Sequence, residues 1–306
     1  MFDRIQRWLS IDAMLPATER LGPVGTTRQM YGKYLKIAWP ATLQGLMLQF
    51  MTAIDLAMVG ALGASALASV GIMGQPEMVM LIFCRALSIA VTAIIARRHG
   101  EGEVDGMNAV LKQSILLNFL IYAPLLAICF FNLEHILRFT GAEDGYIETA
   151  VWYGRFIVIS LIFQSFSQIV GGALIGYGNT KVIFKSNVVG NILNTIMNFF
   201  LIYGIAFFPE FGVMGAGIST FISSAVIAAL LLRAISQHTK TGLTLLHPSK
   251  WRFERSVLHT VFHVGGSSLG EQFFERFGMY TYTMIVASLG AVPLAAHYVC
   301  MNLMDI

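Results

Sequence analysis

Charge is what this sequence has least of. Only 12% of its 306 residues are Asp, Glu, Lys or Arg, about half the share that a soluble domain carries. That excludes an ordinary water-soluble globule and a charge-rich disordered chain. Cysteine is also scarce. Cys84, Cys129 and Cys300 lie far apart in apolar runs, without metal-ligand spacing, and an odd number so placed gives no disulfide framework. Each reads as apolar packing. Enzyme signatures are missing too. There is no His-Glu-x-x-His, no lysine-bearing phosphate loop and no Gly-x-Ser-x-Gly. His259 and His263 are spaced i, i+4 but have no third ligand nearby in sequence. The net charge of +3 carries no sign of a nucleic-acid partner. Residues 1–32 hold Arg4, Arg7, Arg20 and Arg28 with no apolar core, so no cleavable signal peptide is expected there. They read as a cytoplasmic tail, with a short interfacial helix around Phe2, Ile5, Trp8 and Leu9 as the alternative.

What is abundant is apolar sequence. Hydrophobic residues make up 56% of the chain and mean hydropathy is +0.68. The pattern predicts an all-α polytopic membrane protein. Residues 37–54 and 56–76 are free of charge, and between them sits one carboxylate, Asp55. An acid inside such a helix costs about 2.5–3.5 kcal/mol even on lenient insertion scales, so it faces a cavity or a partner. Pro40 lies 15 residues earlier in the same run. Proline removes a backbone donor and kinks a helix, so Pro40 is the expected bending point of a moving helix; the alternative is a static kink with the acid near a helix end.

Six further apolar stretches follow in order, near 66–96, 113–133, 149–176, 184–207, 213–236 and 257–288, and an eighth opens near Val292. Sixteen of the 20 Lys and Arg fall on one side of this arrangement: before or at the first helix, after the second, after the fourth, and from Arg233 to Arg255. The positive-inside rule therefore places the N-terminus and the end of the sixth helix in the cytoplasm. Only Arg138 falls opposite, while Arg85, Arg155 and Arg276 lie inside apolar segments.

Leu62-Gly63-Ala64-x-x-Leu67-Ala68 joins the first two helices, and Leu289-Gly290-Ala291-x-x-Leu294-Ala295 repeats it 227 residues later. A repeat every six helices re-enters the membrane in the same sense, a transporter plan with a central site between two halves. The expected organisation is a tail (1–32), a six-helix N-terminal lobe (33–236), a cytoplasmic linker (237–256) and the first one to two helices of a second, repeat-related lobe (257–306). The remainder of that second lobe is expected beyond residue 306.

Several polar constellations lie within the apolar helices. Asn187, Asn191, Asn194 and Asn198 are spaced 4, 3 and 4, which puts four carboxamides on one helix face. They read as the wall of a polar cavity or as interhelical hydrogen-bond glue. Asp55 with Asn194, Asn198 and Thr220 forms a set of hard oxygen donors suited to a small cation such as Na⁺, provided that they converge. Thr220 has the alternative of bonding back to its own helix. Glu271 and Glu275 share a face at i, i+4. They are a proton-carrying pair, or structural partners of Arg276 or Arg85. Gln164 and Gln168 share another face and are weaker candidates for the substrate cavity. Without a nucleotide site, transport draws on an ion gradient.

These residues resemble the multidrug and toxic compound extrusion (MATE) family. The resemblance is carried by Pro40, the Ile54-Asp55-Leu-Ala-Met-Val-Gly-Ala-Leu-Gly run, Arg97-Arg98-x-Gly100, Gly178-Asn179-Thr180-Lys181, Asn194-x-x-x-Asn198, Gly212-Val-x-Gly-Ala-Gly-x-Ser-Thr220 and Phe273-Phe274-Glu275. It implies twelve helices in two lobes around a V-shaped cavity, and export coupled to Na⁺ or H⁺. It further implies that Asp55, Asn194, Asn198 and Thr220 form the N-lobe cation site, that Pro40 is tied to bending of the first helix, and that Glu275 acts in the second lobe. Where several members have aspartate this chain has Asn198, which leaves Asp55 as the sole expected acid of the N-lobe and favours proton coupling. The resulting expectation is a secondary active exporter of the inner or plasma membrane, acting on a small organic cation or amphiphile, with no cofactor beyond the coupling ion. The alternatives are a lipid-linked sugar flippase of the same superfamily, or a non-transporting membrane scaffold.

Overall fold

Long apolar runs punctuated by glycine and charge become helices. The structure, a computed structural model, describes residues 27–205, 208–236, 242–246 and 254–288. Among them are eight helices and no strand: α1 (Thr27–Gly60), α2 (Ala64–Glu101), α3 (Val104–Phe131), α4 (Leu133–Phe139), α5 (Ile147–Tyr177), α6 (Thr180–Tyr203), α7 (Val213–Ser236) and α8 (Arg255–Ser288). The chain is an all-α, multi-pass membrane protein. It divides into two units, Met1–Leu43 and Gln44–Ile306. Within the first, Tyr34, Leu35 and Trp39 expose large apolar side chains, as a lipid-facing helix does. Pro40 falls within α1, and its side chain lies outside the described residues. So do the tail to residue 26, most of the linker, Cys300, the side chain of Arg276 and the second copy of the Leu-Gly-Ala repeat.

Glycine places the breaks. Gly178 adopts φ 88°, the left-handed region, and ends α5. Its N–H donates to the Ile175 carbonyl and the Asn179 N–H to the Leu174 carbonyl, both at 2.8 Å, which satisfies carbonyls that the last turn leaves open.

The second unit is built on α5, which packs against α2 on one side and α7 on the other. Its contact with α2 is close because two glycines sit one turn apart. A Cβ on Gly172 would lie 2.7 Å from the Ser88 carbonyl oxygen, and one on Gly176 would lie 2.5 Å from that of Thr92. Small residues at this spacing let membrane helices touch backbone to backbone. Ser88 Oγ then donates to the Gln168 carbonyl at 2.7 Å and Thr92 Oγ1 to the Gly172 carbonyl at 3.0 Å. Such bonds contribute on average about 0.6 kcal/mol each. Met73 and Ile95 of α2 and Ile157, Leu161 and Ile169 of α5 are fully or almost fully buried in the core.

Three features depart from the sequence expectation. First, four helical stretches among the described residues are long and apolar enough to span a membrane: Ser65–Glu101, Val104–Phe131, Ile147–Tyr177 and Val213–Ser236; Gly45–Gly60 is a shorter apolar helix. Helices α6 and α8 fall below that threshold because Lys181, Lys185 and four Asn dilute the one, and Glu271, Gln272, Glu275 and two His the other. Second, the acidic loop after the third predicted helix contains a short helix, α4. Its Arg138 pairs with Glu134 at 3.1 Å and Asp144 at 2.7 Å, and these carboxylates, Asp144 first, raise the guanidinium pKa above its ordinary value. Third, the linker is not simply a polar tether. Asn108 Nδ2 donates to the Gly242 carbonyl at 3.0 Å, the Thr244 N–H donates to Asn108 Oδ1 at 2.7 Å, and Leu243 is completely buried. Residues 242–246 therefore fold back onto α3.

Candidate functional site

The second-unit part of α1 and helices α2, α5, α6 and α7 line a cavity of about 650 Å³. Its walls are mostly apolar, with polar groups on α1, α2, α5, α6 and α7. From α6 come Asn187, Asn191, Asn194 and Asn198, so the face read from the 4, 3, 4 spacing is a cavity wall. Gln164 and Gln168 of α5 line it as well. Gln164 Nε2 donates to Ser160 Oγ at 3.0 Å, the packing bond of an ordinary interior glutamine.

Asp55 of α1 is the centre of the polar region. Asn198 Nδ2 donates to Asp55 Oδ1 at 2.8 Å. The Asn194 carboxamide is oriented by its neighbours. With its nitrogen toward Asp55 Oδ2, at 3.0 Å, its oxygen accepts the Thr220 N–H at 3.2 Å. Each carboxylate oxygen thus receives an amide donor from α6, and α7 is tied in through the backbone of Thr220. The Thr220 hydroxyl donates to the Ala216 carbonyl at 2.9 Å, the back-bond to its own helix, and Thr220 lines the cavity. Two further bonds hold this part of α1 to α6: Tyr203 OH to the Met58 carbonyl at 3.0 Å and Thr195 Oγ1 to Met51 Sδ at 3.2 Å.

The donor chemistry suits a small hard cation. Asn198 Oδ1 is buried and has no hydrogen-bond partner, so it is an unused oxygen ligand beside a carboxylate. In this arrangement both carboxamides turn nitrogen, not oxygen, toward Asp55. Each carboxylate oxygen accepts one amide N–H and keeps further acceptor capacity for a cation or a proton.

A second acid shares this space. Glu77 of α2 lines the same cavity, which corrects the expectation of a single N-lobe acid. The sequence signal was present, an ionisable residue directly after Pro76 inside an apolar helix, but its convergence with Asp55 depends on how α1 and α2 cross. No Lys, Arg or His lines the cavity among the described residues. Of the remaining candidates, Glu275 of α8 lies away from this cavity, at a smaller one with Arg85, while Glu271 is exposed and lines neither.

A family model described as MatE matches residues 40–200, more than half of the chain. The chain belongs to the MatE family. The MatE match covers α2 to α5, most of α6, and the part of α1 that carries Asp55. Among curated relatives, the multidrug resistance protein NorM of Vibrio cholerae is 25% identical over 272 residues, 88% of this chain and 58% of that protein. A probable multidrug resistance protein NorM of Thermotoga maritima is 26% identical over 269 residues, 88% of this chain and 57% of its own length. The chain therefore spans somewhat under three fifths of these relatives. A crystal structure of a mutant of the Vibrio cholerae MATE transporter VcmN superposes with a TM-score of 0.81 at 21% identity, over 90% of this chain and 61% of that one. That similarity fixes the fold of this MatE chain as that of the transporter's corresponding part.

Proposed function

We propose that this chain acts as the first lobe, with the opening of the second, of a secondary active exporter. It would move small organic cations or amphiphiles outward by H⁺ or Na⁺ antiport through alternating access. The observation that carries this reading is the electrostatic make-up of the N-lobe cavity: two carboxylates, Asp55 and Glu77, six carboxamides and, among the described residues, no basic side chain. An acid-lined, base-free cavity in a low-dielectric surround favours cations and protons and disfavours anions. This separates the exporter from a flippase of anionic lipid carriers, whose cavity would call for arginines. The likeness to NorM proteins supports the multidrug reading.

In this account Asp55 is the coupling group. Substrate leaves when a proton or Na⁺ takes over the carboxylate, with Asn194, Asn198 and Thr220 supplying oxygen around Na⁺ or turning an amide to accept the proton. Rearrangement at Asp55 is passed along α1, with Pro40 as the bending point. The multi-pass fold sits in the inner or plasma membrane with its N-terminus and arginine-rich connections in the cytoplasm, in keeping with the distribution of Lys and Arg. Antiport requires that coupling ion and substrate compete. Calorimetric titration of the purified chain with tetraphenylphosphonium should show affinity falling as H⁺ or Na⁺ rises, and Asp55→Asn should abolish that competition. Binding unaffected by either ion, or competition that persists in Asp55→Asn, overturns the assignment.

A further inference from the structure

Arg155 stands inside a membrane-spanning helix without an acid to pair with. It lies eight residues after the start of α5 and is half-buried. Among the described residues it forms no ion pair, and its Nε is buried without a hydrogen-bond partner. What holds it is aromatic. The guanidinium carbon lies 5.0 Å from the centre of the Trp152 ring on its own helix and 5.7 Å from that of Phe130 on α3. Phe130 in turn meets Phe131 edge to face at 5.5 Å. Cation–π contacts of this kind fix the head of the side chain, but they leave its charge without a counter-charge.

The depth of Arg155 matches the headgroup region. Helix α5 has 31 residues and is therefore about 46 Å long, against a hydrocarbon core of about 30 Å. Centred in the bilayer, such a helix puts the Arg155 backbone about 4 Å inside the boundary, where a long basic side chain snorkels to the headgroups. Trp152 lies one turn nearer the helix start and is 47% exposed, as in an aromatic belt. Beside it, Ile128 and Phe131 of α3 expose large apolar side chains. The other arginine at this end, Arg138 of α4, is already held by Glu134 and Asp144. Arg155 is the uncommitted one.

We infer that Arg155, Trp152 and Phe130 form a binding site for the phosphate of an anionic phospholipid, in the leaflet at the α4 end of the bundle, with its acyl chains along Ile128 and Phe131. A guanidinium binds phosphate by parallel charge-assisted hydrogen bonds. An anionic lipid neutralises the arginine, whereas a zwitterionic headgroup brings a cation of its own and leaves the net charge in place. The apolar side chains beside the group supply the surface that acyl chains cover. The inference rests on the membrane-spanning fold and is independent of the coupling ion and the substrate.

The test is native mass spectrometry of the purified full chain in detergent with equimolar dioleoyl phosphatidylglycerol and dioleoyl phosphatidylcholine, counting the adducts of each lipid. The phosphatidylglycerol adduct is expected at about five times the abundance of the phosphatidylcholine adduct, the scale of one basic residue at an anionic surface. Arg155→Gln should bring that ratio to about one. Arg85→Gln removes an exposed arginine of α2 at a different cavity and should leave the ratio within twofold, as should Asp55→Asn. Equal adducts of the two lipids on the unaltered chain overturn the inference. So does a preference that survives Arg155→Gln, or one that Arg85→Gln erases as fully, since that is general charge attraction and not a site. The comparison within the unaltered protein needs no variant to fold.

Discussion

Replacing Asn198 by aspartate exchanges a donor for an acceptor at the most tightly bonded point of the site. Asn198 Nδ2 now sits 2.8 Å from Asp55 Oδ1. Two carboxylates at that separation repel by about 6 kcal/mol at an effective dielectric of ~20, and the donated hydrogen bond, about 1.5–3 kcal/mol to a charged acceptor, is lost as well. A proton held between the two acids relieves the repulsion, and so does a cation. Asn198→Asp should therefore make folding stability depend on Na⁺ or on low pH, which in the parent chain is needed far less. At Na⁺ a hundredfold above its dissociation constant, binding to the folded state alone stabilises by about 2.7 kcal/mol. The assay is thermal unfolding of both proteins in detergent, at equal ionic strength in NaCl or choline chloride, from pH 5 to pH 8. The variant should melt several degrees lower than the parent in choline at pH 8 and recover in Na⁺ or at pH 5. Equal melting of the two proteins in choline at pH 8 refutes the hydrogen-bonded geometry around Asp55.

Gly172→Ala should destabilise the α2–α5 contact by about 1–3 kcal/mol, since its Cβ meets the Ser88 backbone at 2.7 Å. Gly171→Ala meets nothing within 4 Å and should be neutral or slightly stabilising through helix propensity; thermal unfolding of the pair separates the two cases. Asn108→Ala removes two of the hydrogen bonds that dock residues 242–246 and should speed protease cleavage of the connection between α7 and α8 about tenfold or more. Tyr203→Phe leaves the Met58 carbonyl without its donor and should cost about 1 kcal/mol in the same unfolding assay.

The order of the helices was legible because charge and glycine interrupt the apolar runs. Arg97-Arg98 and Gly102 end α2, and Gly178 ends α5. The asparagine face of α6 was legible because 4, 3, 4 is a helical spacing, and such a spacing holds whatever the helix packs against. Position across helices was not. Glu77 joins Asp55 in one cavity, and Arg85 meets Glu275 at another, through crossings that no local pattern encodes. Helix α4 escaped because seven residues carrying Glu134 and Arg138 are too short and too charged to show a period. The docking of residues 242–246 escaped because the use of Asn108 as a clamp depends on a backbone segment 134 residues away. The back-bond of Thr220 was one of two alternatives the sequence left open.

The central claim, that Asp55 couples an ion to the outward movement of a cationic substrate, is tested most directly by efflux. Cells expressing the chain are loaded with ethidium, and efflux is followed with the proton gradient or the Na⁺ gradient collapsed in turn. The account predicts efflux that stops with one of these gradients and is absent in Asp55→Asn at equal membrane abundance. Gradient-driven efflux that continues unchanged in Asp55→Asn would contradict it.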